Sequence, residues 1–127
     1  MKSLRSPLAE ARHLGSAKRG VEHWWAQRLS AVVLIPLLLW LVWSLATLVG
    51  ADYTTARDWL ASPGNAIAAM LLIGFAFHHA RLGLQVIIED YVHHTAIAVA
   101  LQVVVLVGAL VGALTGIVAI LKVAIVS

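Results

Sequence analysis

The sequence predicts an all-α integral membrane protein with three transmembrane helices, and three observations carry that expectation. Hydrophobic residues fill 61% of the 127 positions and charged residues 12%, more apolar side chain than so short a chain can bury in a soluble core. Three long apolar stretches divide the chain, each close to the roughly 20 residues that cross a bilayer as a helix. Six of the nine Lys and Arg residues lie within the first 28 positions, an asymmetry that orients a membrane protein and does not suggest a nucleic-acid surface. The spans leave no room for a separate catalytic domain, so partners must supply most of any chemistry. With no cysteine, the chain can form neither disulfides nor thiolate-held iron–sulfur clusters.

Residues 1–25 read as a basic cytosolic arm, and residues 26–127 as a three-helix membrane domain with spans at about 27–49, 66–88 and 95–121. The arm has no apolar stretch followed by a small-residue cleavage site, so it does not read as a cleaved signal peptide. Its Arg and Ser content is that of a transit sequence, against which Glu10 argues.

The first span is uncharged from 29 to 49, enough for roughly 30 Å of helix. Trp24 and Trp25, beside Arg28, suit an interfacial belt, while Trp40 and Trp43 are expected against lipid or a partner helix. Pro36 removes one backbone hydrogen bond inside the span, which membrane helices tolerate. Asp52, Arg57, Asp58 and the run Ser62-Pro63-Gly64 mark residues 50–65 as a loop, with a short interfacial helix around Trp59. The second span is interrupted by His78-His79-Ala80-Arg81. Neither half alone can cross, whereas the joined 66–88 can. Residues 89–94 read as a tight polar connection. The last span carries Gly108, Gly112 and Gly116, four apart and so on one smooth face for helix contact, and Lys122 marks its exit. A cytoplasmic or matrix-side arm then places 50–65 outside, 89–94 inside and the C-terminus outside.

Ionisable groups at membrane depth are costly, which makes the cluster in the second span the most informative feature. His79 lies ten residues before Glu89, roughly 15 Å along the axis and near the midplane. A neutral imidazole there can ligate a metal or haem iron. At about 100° per residue, His79, Gly83, Val86 and Asp90 share a stripe, and Gly83 leaves room for a flat macrocycle; His78, Arg81 and Gln85 fall on a neighbouring face. Spacing leaves two readings of His79 standing: an axial ligand whose opposite number sits on a partner, or a packing histidine bonded to a neighbouring helix. Arg81 suits a haem propionate, an acid of another subunit, or snorkelling. Arg28 is first a topological signal, to which a propionate or quinone role would be additional. Asp90 and Tyr91 sit at the cytosolic edge, where a phenol can donate to a quinone carbonyl and a carboxylate can hold an Arg or relay protons, or where both are simply interfacial residues. His13, His93 and His94 read as loop residues, and His23 as an interface residue able to shuttle protons.

The run from His79 through Gly83 to Asp90-Tyr91 resembles the H-x-x-x-G-x-x-x-x-x-x-D-Y signature of the succinate dehydrogenase hydrophobic membrane anchor subunit, the D subunit. Residues 20–31, with Arg28, resemble the start of that family's first span. The resemblance implies a non-catalytic subunit of succinate:quinone oxidoreductase, respiratory complex II, in which His79 would be an axial ligand of haem b and a histidine of a sister C anchor the other. It further implies that Tyr91 binds ubiquinone with Asp90 in support, that Arg28 lies near the haem propionates, and that an iron–sulfur subunit and a flavoprotein complete the complex. The bacterial inner membrane is expected in preference to the mitochondrial one. Some relatives place a histidine where this chain has Glu22, with His23 one position later, which puts any role of that histidine in doubt. Two other classes compete: a haem-free structural anchor, and a small transporter subunit using His79 and Arg81, against which the absence of an internal repeat and of acids within the spans argues.

Overall fold

The computed structural model describes residues 15–126, in which four helices and no strand are found. They are α1 (Gly15–Thr47), α2 (Tyr53–Ala61), α3 (Pro63–Tyr91) and α4 (Thr95–Val126). α1, α3 and α4 are long and apolar enough to cross a membrane, as expected, and α2 is the short helix expected around Trp59. The basic segment 1–14, with His13, lies outside the described residues.

Boundaries depart from the sequence reading where helix signals run past the apolar stretch. α1 begins at Gly15, so residues expected in the cytosolic arm are its first turns. Lys18, Arg19, Trp24, Ala26 and Gln27 need no hydrocarbon to be helical, and residues 15–28 contain no proline to stop them. α3 continues through Glu89 and Asp90 to Tyr91, leaving residues 92–94 as the connection. Gln85 Nε2 donates to Glu89 Oε1 at 2.9 Å across one turn, and the Val92 amide closes on the Ile88 carbonyl. α4 likewise carries Lys122 inside its last turns. Pro63 opens α3 at a first-turn position, where its missing N–H costs nothing, so α3 follows α2 across Ser62 alone. Asp52 caps α2 by accepting from the Thr55 amide at 2.8 Å, and Trp59 of α2 stacks on Trp40 of α1 with ring centroids 5.6 Å apart.

α3 is the central element, packed most extensively on α4 and then on α1. Its contact with α4 depends on missing side chains. A Cβ on Gly112 would lie 2.5 Å from the Phe77 ring, and one on Gly116 would lie 2.9 Å from Ile73, whereas Gly108 faces open space. Two of the three glycines expected to form a smooth face therefore make close contacts. Buried residues are few: Leu34, Ala66, Leu72, Leu82, Ile88 and Ile120, together with Ser30 and Ser44. The remaining apolar surface is what a bilayer or partner helices would cover.

Gly112→Ala is expected to lower the stability of the detergent-solubilised protein by about 1–3 kcal/mol through overpacking, with Gly108→Ala near neutral. Thermal unfolding of the two variants side by side measures this. The hydrogen bonds from Thr55 hold the Asp52 carboxyl below its usual range. A depressed carboxylate stabilises the cap above its unfolded pKa and loses that effect as pH falls through the folded value. The protection factor of the Thr55 amide, taken against its intrinsic exchange rate, should therefore fall in acid below the ordinary Asp range and in Asp52→Ala at neutral pH, with Asp52→Asn retaining protection there.

Candidate functional site

The polar groups at membrane depth meet at the crossing of α1 and α3. His23, Gln27, Ser30 and Leu34 recur at helical spacing along one stripe of α1, all but Leu34 polar. Opposite them α3 presents His79, and Gly83 one turn later. The Ser30 hydroxyl donates to the Gln27 carbonyl at 2.8 Å and lies 2.8 Å from His79 Nδ1. Gln27 Nε2 stands 3.4 Å from His79 Nε2, a long contact, and is the nearest atom to a Cβ built on Gly83, at 3.9 Å.

One proton arrangement satisfies both Ser30 contacts at once. With the single serine proton given to the Gln27 carbonyl, the Ser30 oxygen accepts from His79, and Nδ1 carries the ring proton. Nε2 keeps its lone pair, which agrees with an amide N–H of Gln27 facing it. An imidazole anchored through Nδ1–H, with Nε2 as its acceptor atom, is in the tautomer that can bind a metal through Nε2. Two buried polar atoms on the same α1 stripe, His23 Nε2 and Gln27 Oε1, have no hydrogen-bond partner, and such groups ordinarily do. Gly83 adds only a hydrogen to this face. A porphyrin, which supplies four nitrogens of its own and asks one imidazole of this chain, fits that donor set; a protein-only metal cage does not, because no group of three or more His, Cys, Asp or Glu occurs among the described residues.

His78 and His79 are separated by this geometry. His78 lines an apolar groove of about 480 Å³ with Ile67, Phe75 and Ile117, away from Ser30. Arg81 lines smaller clefts on the α4 side with Gln102 and Leu106, so it is not brought to His79. Arg28 lies on α1 one position after Gln27, with its guanidinium 4.8 Å above the Trp24 ring. Asp90 and Tyr91 occupy the exposed last turn of α3, about 12 residues and so roughly 18 Å along the axis from His79. Tyr91 is 80% exposed, with its hydroxyl available to a partner or ligand. Of the stripe expected with His79, Gly83 shares its neighbour Gln27, while Val86 and Asp90 are exposed.

Sequence reasoning missed Gln27 and Ser30. The signal was present: a glutamine and a serine three apart where the first span turns apolar, on the same face as His23.

The sequence matches the family described as succinate dehydrogenase/fumarate reductase transmembrane subunit over residues 2–120. The chain belongs to this family. A succinate dehydrogenase hydrophobic membrane anchor subunit of Rickettsia bellii is 35% identical over 88 residues, covering 69% of this chain and 70% of the relative. Its counterpart in Rickettsia conorii is 32% identical over 91 residues, 71% and 72% of the two chains. A succinate dehydrogenase membrane anchor subunit of Reclinomonas americana is 33% identical over 84 residues, 64% and 70% of the two. No solved structure matches significantly. Within a family of transmembrane subunits, the three apolar helices are those of a multi-pass membrane protein.

Proposed function

We propose that this chain is the hydrophobic membrane anchor subunit of a succinate dehydrogenase, and that it holds haem b and ubiquinone so that electrons from succinate oxidation reach the membrane quinone pool. The observation that carries this reading is His79, held by Ser30 through Nδ1 with Nε2 facing the Gln27 side chain. The anchor names of its relatives support the rest. His79 Nε2 would ligate the iron, with the second axial ligand from a histidine of the sister C anchor. Bound there, haem b supplies a one-electron redox centre. Arg28, at the same end of α1 as Gln27, would exchange its contact with Trp24 for a haem propionate. Tyr91 would donate its O–H to a ubiquinone carbonyl, with Asp90 beside it ordering a neighbouring cation or relaying protons.

Flavin and iron–sulfur clusters belong to a flavoprotein and an iron–sulfur subunit, for this chain has no cysteine to hold a cluster. The iron–sulfur subunit would dock at the Tyr91 end, which by the positive-inside tendency of the basic first segment would lie at the cytoplasmic face of a bacterial inner membrane. A second reading has one observation in its favour. Gln27 and Ser30 already stand against both ring nitrogens, as they would around a packing histidine in a haem-free anchor. Purification of the complex separates the two: flavoprotein co-purifying with a haem b absorbance band supports the first, and flavoprotein without haem supports the second.

In that complex His79→Ala should abolish or alter the low-spin haem b spectrum, and His78→Ala should leave axial ligation intact. The opposite pattern would move the ligand to His78. Tyr91→Phe keeps the ring and removes one hydrogen bond of about 0.5–1.5 kcal/mol, so quinone reduction should fall roughly 2- to 10-fold. Reduction of a soluble dye that takes electrons upstream should continue on the same preparation. Wild-type rates in both assays would return Tyr91 to a merely interfacial role.

A further inference from the structure

We infer that Ser30 is a positioning residue for the His79 imidazole: its hydroxyl oxygen accepts the Nδ1 proton, fixing the tautomer and the ring plane that leave Nε2 free for iron. The inference rests on the haem reading above and deepens it. Ser30 is 2% exposed, and its side chain is the only one among the described residues buried this completely. With its single proton given to the Gln27 carbonyl at 2.8 Å, it accepts from His79 Nδ1, also at 2.8 Å, and both contacts are met at once. Without this acceptor the ring could carry its proton on either nitrogen, and the Nε2–H form cannot ligate. An accepting hydroxyl also pulls the Nδ1 proton and makes Nε2 more basic, which favours the ferric over the ferrous iron it binds. A reversed Gln27 amide would offer Oε1 to an Nε2–H instead. Ser30 would then have no influence on ligation, and the two arrangements differ in what its removal does.

Ser30→Thr and Ser30→Val test this in the assembled complex, because the two side chains match in volume and differ in the hydroxyl. A threonine hydroxyl can still bond the carbonyl one turn back and face His79. Haem transfer from the purified complex to excess apomyoglobin reports affinity, and a redox titration of the haem band reports potential. Ser30→Val is expected to weaken haem retention by about 10- to 100-fold relative to Ser30→Thr and to raise the midpoint potential, with flavin content unchanged in both. Equal retention and equal potential in the two variants would overturn the inference, whether both match the wild type or both have lost haem, since the hydroxyl would then be irrelevant. A wild-type complex that carries flavoprotein but no haem b would overturn the haem reading itself, and this inference with it.

Discussion

Water does not reach the hydrocarbon interior, so an imidazole at membrane depth has to find its partners in protein or in something protein binds. In this chain that requirement fixes how α1 meets α3. His79 projects from the second span, and the only stripe of α1 able to receive it is the one that interrupts the apolar pattern with His23, Gln27 and Ser30. A turn of α1 by a single position, about 100°, would carry Ser30 off the interface and put Leu29 or Ala31 against the ring. Polar partners within a bilayer thus select a rotational setting that apolar packing alone, with lipid as good a neighbour as leucine, would leave open.

The opposite face of α3 solves a different problem. Toward α4, where Arg81 and Gln102 line one cleft, close approach comes from Gly112 and Gly116, which receive the Phe77 and Ile73 side chains. The two interfaces of α3 therefore rest on different physics: directional hydrogen bonds to α1, and van der Waals contact to α4. Neither buries much of the molecule. Trp43 on α1 and Val104 on α4 stay exposed, and that surface can meet lipid or the helices of a sister subunit.

Hydropathy made the three spans legible, because length and lack of charge are enough to mark a crossing helix. The ends of the spans were less so. Lys18, Glu89 and Lys122 sit inside helices because a helix may run beyond the bilayer, where charge no longer penalises it. In the site, His79 stood out as an ionisable group at depth, and its spacing to Gly83 and Tyr91 matched a family pattern. Ser30 did not stand out, since serine costs little in a membrane helix when it bonds its own backbone, and its helical spacing to Gln27 and His23 names no partner. Its role becomes visible only when α1 is laid against α3. Pairing across 49 positions of sequence is a tertiary fact.

The two unpartnered atoms on α1 bear on what the isolated chain is. A buried polar group left without a hydrogen bond costs about 1–3 kcal/mol, and His23 Nε2 and Gln27 Oε1 belong to residues one turn apart on the α1 stripe that carries Ser30. A helix interface optimised only for its own stability would replace such groups with leucine or alanine, as α1 does at Leu34 farther along the same stripe. Donors and acceptors are instead collected at one end of the helix crossing, against Gly83, which brings no side chain of its own. The chain's family is one of transmembrane subunits, and the apolar faces that α1, α3 and α4 leave exposed are what such a larger unit, or lipid, would cover.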